Sequence, residues 1–161
     1  MTEEFATVPA EERVQIDHVR TLFREYGALL GFSLCFQSFD TELAGLPGEC
    51  LPPEGRPLLA FCESTPAACV ALCKLENGIC EMKRLYVRPE LRGHGLGRDL
   101  VLTLIAPARL SQYAKMRLDT IAASMTEAVS LCRSLGFHDI PPYCRNPIPG
   151  ATYLELDLRQ P

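Results

Sequence analysis

Residues 87–98 read VRPELRGHGLGR and join a strand pattern, residues 79–87, to a helix pattern that runs from about Gly95 to Ile105. The three glycines of this stretch leave successive backbone N–H groups unshielded by Cβ atoms. These groups stand at the N-terminus of the predicted helix, where the helix dipole favours a negative charge. The stretch therefore predicts a turn that binds a phosphate, although a glycine-rich turn with solvated arginines would have the same spacing.

Two common phosphate motifs do not fit this turn. A Rossmann fingerprint requires a glycine at the sixth position, where this chain has Arg98. A P-loop requires Gly-Lys-Ser/Thr at the start of the helix, and the chain has no such sequence there. Neither of these nucleotide-binding folds is therefore predicted.

The composition is that of a folded domain. Among 161 residues, 47% are hydrophobic and 22% are charged, which is enough apolar surface for one core. We therefore expect a single domain spanning residues 1–161. The net charge of −4 opposes broad contact with nucleic-acid phosphates. The sequence has neither a run of about 18 apolar residues nor the basic start of a signal peptide, so we expect a cytoplasmic protein without a membrane span.

Eight cysteines would suit four disulfides in a secreted chain, but in a reducing cytoplasm they predict free thiols. No pair has the Cys-x-x-Cys spacing of a metal site. The nearest pair, Cys69 and Cys73, lies in a strand pattern that would hold the two residues roughly 13 Å apart. We therefore predict no metal site, and a thiol-based redox or metal protein is an alternative suggested only by the number of cysteines.

The rest of the chain alternates strand and helix patterns. The apolar stripe from Val14 to Leu30 predicts an amphipathic helix, Asn77-Gly78 is typical of a β-hairpin turn, and Pro107 is expected to end or bend the helix that starts near Gly95. Further strands are predicted at 5–7, 58–62, 68–75, 79–87, 116–120 and 152–158, further helices at 39–44 and 126–135, and loops at 37–57 and 141–149. This order indicates an α/β or α+β domain around a mixed sheet.

Two segments resemble a known family. Residues 92–97, RGHGLG, match the Gln/Arg-x-x-Gly-x-Gly/Ala signature of the GNAT superfamily of acyl-CoA-dependent N-acyltransferases, and they follow the family's Val-x-Pro turn at residues 87–89. Residues 128–137, AVSLCRSLGF, resemble the family's helix that ends in Leu-Tyr-x-x-x-Gly-Phe. The resemblance covers roughly residues 58–158. It implies a mixed, mostly antiparallel central sheet that is flanked by helices and splayed at a coenzyme A cleft.

The resemblance also implies where acetyl-CoA would bind. In the family, backbone N–H groups of the glycine turn hold the coenzyme A pyrophosphate, and the pantetheine arm pairs with the fourth strand beside the opening of the sheet. The same strand backbone would polarise the thioester carbonyl. The cofactor-binding residues implied in this chain are Leu85, Tyr86, Val87, Arg92, Gly93, His94, Gly95, Leu96, Gly97 and Arg98.

Acylation of an amine requires a base, because a primary amine is mostly protonated at neutral pH. Glu81 stands where several family members place a general-base glutamate. Two alternatives are open: Glu81 could be a strand-edge carboxylate paired with Lys83, which shares its face, or a water relay could move the proton.

The group that protonates the leaving thiolate is harder to assign. The family commonly uses the tyrosine of Leu-Tyr-x-x-x-Gly-Phe, and this chain has Cys132 in its place. Cys132 could donate a proton or could simply pack in the core. Tyr143, in the predicted loop at 141–149, is the remaining candidate acid. The alternative is that Tyr143 is an ordinary aromatic residue of a loop, with no catalytic role.

These observations predict an N-acetyltransferase that moves an acetyl group from acetyl-CoA to a primary amine by direct attack, with Glu81 and Tyr143 as candidate catalytic residues and no metal. The acceptor could be a small-molecule or a peptide amine, and dimers are common among the proteins that the chain resembles. A non-catalytic module that binds or senses acyl-CoA is the alternative, suggested by the missing tyrosine.

Overall fold

The computed structural model describes residues 4–30, 39–46, 55–123 and 125–159. Its seven strands form one sheet in the order β1-β2-β3-β4-β5-β7-β6. The strands are β1 Phe5–Pro9, β2 Arg56–Cys62, β3 Thr65–Glu76, β4 Ile79–Val87, β5 Lys115–Ile121, β6 His138–Asp139 and β7 Ala151–Asp157. The helices are α1 Arg13–Leu29, α2 Phe39–Gly45, α3 Leu96–Leu110 and α4 Thr126–Ser134, with a short 3-10 helix at Pro89–Leu91.

Pairing between the strands is antiparallel except at the centre of the sheet. Strands β1 to β4 form an antiparallel meander, and β7 pairs antiparallel with both β5 and β6. The β3–β4 hairpin turns at Gly78, whose φ of 77° suits glycine. β4 and β5 are parallel, and α3 crosses between them as a parallel connection requires. The predicted mixed, mostly antiparallel sheet flanked by helices is confirmed.

Helices cover both faces of the sheet and bury two apolar clusters. One cluster packs α3 and α4 against residues such as Leu72, Met82 and Met116. The other packs α1 and α2 against residues such as Cys69 and Tyr86. β3 contributes to both clusters, because residues 67–73 are all buried and neighbouring side chains point to opposite faces.

A β-bulge interrupts β4. Cys69 pairs with Tyr86 and Ala71 pairs with Lys83, so β4 has one more residue than β3 across this interval. Arg84 lies in this bulge and adopts a φ of 60°. The bulge reverses the alternation of side chains along β4: Met82 faces the α3 cluster before it, and Leu85 faces the same cluster after it.

Four details differ from the sequence prediction. α3 continues through Pro107 to Leu110, because buried residues on both sides of the proline keep the helix on the core. β6 was not predicted, since two exposed residues carry no strand pattern. Cys73 is disulfide-bonded, so the prediction of free thiols is wrong for this residue. β2 starts at Arg56 instead of Leu58, so the end of the predicted loop at 37–57 is strand; of that loop only 39–46 and 55–57 are described, and the expected short helix, α2, is present.

Candidate active site

A cleft opens where β4 and β5 separate. Their pairing covers only Ile79–Glu81 with Lys115–Arg117, and beyond Arg117 the described part of β5 pairs with β7 alone. The cleft has a volume of about 620 Å³ and lies between the second half of β4, the glycine turn and the starts of α3 and α4. Its lining residues are Tyr26, Leu29, Leu30, Leu85, Tyr86, Val87, Pro89, Leu91, Arg92, Gly93, Gly95, Leu96, Gly97, Arg98, Met125, Thr126, Glu127, Ala128 and Leu131.

The glycine turn presents backbone N–H groups to this cleft. Gly93 and Gly95 have φ values of 85° and 81°, which other residues rarely adopt, and Gly95 is the N-cap of α3. The N–H of Asp99 makes the first bond of the helix, to the carbonyl of Gly95. The three N–H groups before it therefore lie at the positive end of the helix dipole, where a phosphate would be stabilised.

The basic side chains around the turn divide into two groups. Arg88 is held by Glu25 of α1 in an ion pair of 2.8 Å, and Arg84 and Lys83 are held by Glu42 of α2. Arg92 and Arg98 are exposed, and neither forms an ion pair within the described segments. These two arginines thus remain for an anionic ligand, whereas the other three basic residues connect the helices to the sheet.

Nine of the ten residues expected to bind the cofactor line the cleft. The exception is His94, whose ring lies 6.0 Å from that of Phe5 at the edge of the sheet. Arg92 donates a hydrogen bond from Nε to the carbonyl of Val87 at 2.9 Å and lies over the Tyr86 ring at 5.9 Å. The side chain of Tyr86 itself is buried, and its hydroxyl donates to Glu25 at 3.3 Å.

A smaller cavity of about 40 Å³ adjoins the cleft. Its lining residues are Tyr26, Met82, Arg84, Leu85, Leu118, Asp119, Thr120, Met125, Ala128, Val129 and Cys132. Tyr26, Leu85, Met125 and Ala128 line both spaces, so the two spaces adjoin, and the smaller one is called the inner cavity below. Arg84 of the β4 bulge lines the inner cavity but is not among the residues that line the cleft.

Glu81 and Tyr143, the two candidate catalytic residues, are in direct contact. The Tyr143 hydroxyl donates to Glu81 Oε2 at 2.7 Å, although the residues are 62 positions apart. The Tyr143 ring also packs edge-on against Tyr153 and beneath the Arg117 guanidinium. Lys83 Nζ lies 3.8 Å from Glu81 Oε1, so the pairing with Lys83 is present as well.

Burial raises the pKa of Glu81 above its ordinary value, against the Lys83 charge and the Tyr143 hydrogen bond, which lower it. The Asp119 and Arg84 charges also act on the pKa of Glu81, and both of these residues line the inner cavity. Burial and the Glu81 charge raise the pKa of Tyr143 far above its usual range, so its hydroxyl stays protonated. The site therefore holds a carboxylate with a raised proton affinity and a permanent donor beside it.

Sequence reasoning missed Asp119. This residue accepts a hydrogen bond from Asn146 Nδ2 at 3.1 Å, and its charge raises the pKa of Cys144 and Tyr143. The alternation of β5 carried a signal, because Arg117 and Asp119 must share a face when Met116 and Leu118 point into the core. Only the sheet order shows that this face adjoins Glu81.

Cysteine chemistry has little support at this site. Burial raises the pKa of Cys132 to about 11, and burial together with Asp119 raises that of Cys144 to about 11. Reactive thiols have lowered pKa values instead. Cys132 is 2% exposed and packs in the α3 cluster. Within residues 4–30, 39–46, 55–123 and 125–159, no group of three or more His, Cys, Asp or Glu side chains is placed to hold a metal ion, and no helix is long and apolar enough to cross a membrane.

A family model described as the acetyltransferase (GNAT) family matches residues 16–137. The chain belongs to the GNAT acetyltransferase family. An uncharacterized N-acetyltransferase of Schizosaccharomyces pombe is 41% identical to this GNAT protein over 145 residues, which cover 89% of this chain and 88% of the relative. The chain is thus an acyltransferase, and the prediction of this enzyme class is confirmed.

Solved structures share the fold of this GNAT protein. An acetyltransferase of the GNAT family from Staphylococcus aureus superposes with a TM-score of 0.78 at 16% identity, covering 96% of this chain and 99% of that chain. The structure of yncA from Salmonella typhimurium, which contains its cofactor acetyl-CoA, superposes with a TM-score of 0.72 at 18% identity, covering 97% of this chain and 95% of that chain. The arrangement of sheet, cleft and helices is therefore that of the family.

Proposed function

We propose that this protein transfers an acetyl group from acetyl-CoA to a primary amine by direct attack of the amine on the thioester. The pyrophosphate would bind the N–H groups of the glycine turn together with Arg92 and Arg98. The pantetheine arm would run along residues 85–87 of β4, whose edge in the cleft lacks a strand partner among the described residues. The yncA structure, which has the same fold, contains acetyl-CoA, and this supports the choice of acetyl-CoA as the co-substrate.

Glu81 is the proposed general base, and its position carries the proposal. It is the last residue of β4 that pairs with β5, so it lies where the opening of the sheet begins. A buried carboxylate with a raised pKa is better matched to accept a proton near neutral pH than an exposed one. Glu81 would take a proton from the bound ammonium, directly or through water, and so produce the neutral amine.

The amine nitrogen then attacks the thioester carbonyl carbon, and the backbone of β4 at residues 85–87 would stabilise the oxyanion. The C–S bond breaks, the coenzyme A thiolate leaves, and the nitrogen releases its second proton to solvent to give the neutral amide. A cysteine thiol in solution has a pKa near 8.5, and an alkyl thiolate of this kind leaves without strong acid assistance. Burial raises the pKa of Cys132 to about 11, so its thiol holds a proton more tightly than the leaving thiolate would, and proton transfer from Cys132 would be unfavourable. We therefore propose that solvent protonates the thiolate and that Tyr143 orients Glu81.

Thermal melts with acetyl-CoA, CoA, NADH and ATP test the ligand. At about 100 times Kd a ligand adds roughly 2.7 kcal/mol, which raises the melting temperature of a domain of this size by roughly 5 to 10 °C. Both coenzyme A compounds should produce this shift and the other two should not. Absence of any shift would remove the cofactor assignment.

Turnover is then measured by mass spectrometry on a panel of amines, because cysteine thiols would disturb a colorimetric thiol assay. Glu81→Gln should lower kcat by roughly 10²- to 10⁴-fold at neutral pH and recover activity as the pH rises and more amine is neutral. A shift with CoA but no turnover on any amine would favour the non-catalytic module. A variant with an unchanged pH profile would exclude Glu81 as the base.

A further inference from the structure

Arg84 has an unusual backbone conformation. Its φ of 60° lies in the left-handed region, which is unfavourable for residues other than glycine. The residue forms the β4 bulge opposite Val70, between the pairs Cys69–Tyr86 and Ala71–Lys83. A strained residue of this kind persists only when its surroundings hold it in place.

The Arg84 side chain supplies such a hold. It is 4% exposed, and its Nε and Nη2 donate to the two carboxylate oxygens of Glu42, each at 3.0 Å. The guanidinium lies 5.0 Å from the centre of the Phe39 ring and 5.9 Å from that of Tyr26. A bidentate pair fixes direction as well as distance. The side chain is therefore fastened to α2 and to α1 at once.

Both ends of this connection are themselves anchored. Helix α2 is tied to α1 by Arg20, whose Nε donates to the carbonyl of Leu43 at 2.8 Å. On the strand side, the Cys69 thiol donates to the carbonyl of Arg84 at 3.6 Å. The bulge is thus held by its backbone on one side and by its side chain on the other.

The bulge lies directly before the β4 edge to which the thioester is assigned. Arg84 and Leu85 line the inner cavity, and residues 85–87 follow directly as the β4 edge assigned to the thioester. We propose that Arg84 and Glu42 are positioning residues that hold the bulge and thereby aim the β4 backbone at the thioester carbonyl. This inference rests on the proposed function, and it adds that α2, through Glu42, sets the geometry of the oxyanion site.

Two substitutions at residue 84 separate the backbone from the side chain. Arg84→Ala removes the anchor and leaves a residue that disfavours a φ of 60°, whereas Arg84→Gly removes the same anchor but accepts this φ readily. We expect kcat to fall roughly 10- to 100-fold in Arg84→Ala and clearly less in Arg84→Gly. The Kd of CoA, which lacks the thioester carbonyl, should stay within about twofold in both variants. Equal kcat values, or a loss confined to CoA affinity or to acceptor KM, would overturn the proposal.

Glu42→Gln tests the other partner and remains informative if Arg84→Ala does not fold. It should lower kcat by several-fold, and its effect should not fully add to that of Arg84→Gly in the double variant, because both changes break the Arg84–Glu42 pair. Unchanged kcat in Glu42→Gln, or full additivity, would contradict the proposal. Arg133→Ala, which breaks the exposed pair with Asp139, is the control and should retain activity.

Thermal melts test the left-handed backbone conformation of residue 84 without any measurement of turnover. Arg84→Gly should melt above Arg84→Ala by roughly 2 to 8 °C, the reverse of the usual order of glycine and alanine within a strand. The opposite order would refute the claim of a held left-handed residue. Absence of acetyl transfer by the wild-type protein would instead defeat the proposed function, so the two failures are distinguishable.

Discussion

Removal of the Tyr143 hydroxyl should raise the pKa of Glu81. The hydroxyl donates to Glu81 Oε2 at 2.7 Å, the length of a hydrogen bond to a charged oxygen, and this bond favours the ionised carboxylate. A hydrogen bond to a charged group contributes roughly 1.5 to 3 kcal/mol, and one pKa unit corresponds to about 1.4 kcal/mol. Tyr143→Phe should therefore raise the pKa of Glu81 by roughly one to two units.

The assay is the pH profile of kcat/KM for the amine acceptor, from about pH 5.5 to about 9. A base works in its deprotonated form, so activity rises as the pH passes through the pKa of Glu81. In Tyr143→Phe this acid limb should move upward by the same one to two units. At high pH, where Glu81 is ionised in both proteins, the two rates should agree within a few-fold.

Tyr153→Phe is the matched control, because Tyr153 packs against Tyr143 with ring centres 5.6 Å apart but its hydroxyl donates to the Cys144 carbonyl. Its acid limb should stay in place. An unmoved limb in Tyr143→Phe would refute the reasoning about Glu81. A loss of about 100-fold at every pH would instead identify Tyr143 as the acid that protonates the thiolate.

Two further predictions concern the cleft and the thiol beside it. Gly95→Ala places alanine at a φ of 81°, which should cost about 1 to 2 kcal/mol, lower the melting temperature by roughly 2 to 8 °C and weaken CoA binding. Gly97→Ala is its control: the new Cβ would meet Leu131 at 3.4 Å, an ordinary contact, so stability should be kept. Cys132→Ala should retain turnover within a few-fold while losing about 1 kcal/mol of stability in thermal melts, and abolished turnover with intact CoA binding would show that the thiol takes part in the reaction.

The sequence alone predicted correctly the features that depend on residues close together in the chain. The bounds predicted for β4, Ile79–Val87, are those observed, because a hairpin turn at Asn77-Gly78 marks one end and a proline turn marks the other. The glycine turn was equally readable, since only glycine adopts the φ of residues 93 and 95 without cost. These local signals also carry the family signature, and so the fold could be anticipated from them.

The continuation of α3 beyond Pro107 could not be predicted from the neighbouring residues in the chain. A proline removes one helical hydrogen bond whatever surrounds it, and the local rule therefore predicts an end or a bend. Burial of Leu104, Ile105 and Ala108 against the sheet outweighs that loss, and this burial exists only once α3 has docked.

Contacts between distant elements were decided by the tertiary structure. Glu81 and Tyr143 were each selected from the sequence, but their hydrogen bond depends on how the loop after β6 returns over the sheet. The assignment of Arg88 to Glu25 and of Arg84 to Glu42 likewise depends on where α1 and α2 lie on the sheet. Backbone conformation is governed by neighbours in the chain, whereas charged side chains pair with whatever the packing of elements brings within reach. For this protein the sequence determined the strand, turn and helix that form the cleft, and the tertiary structure determined which charges act on Glu81, where the pairing of β4 with β5 ends.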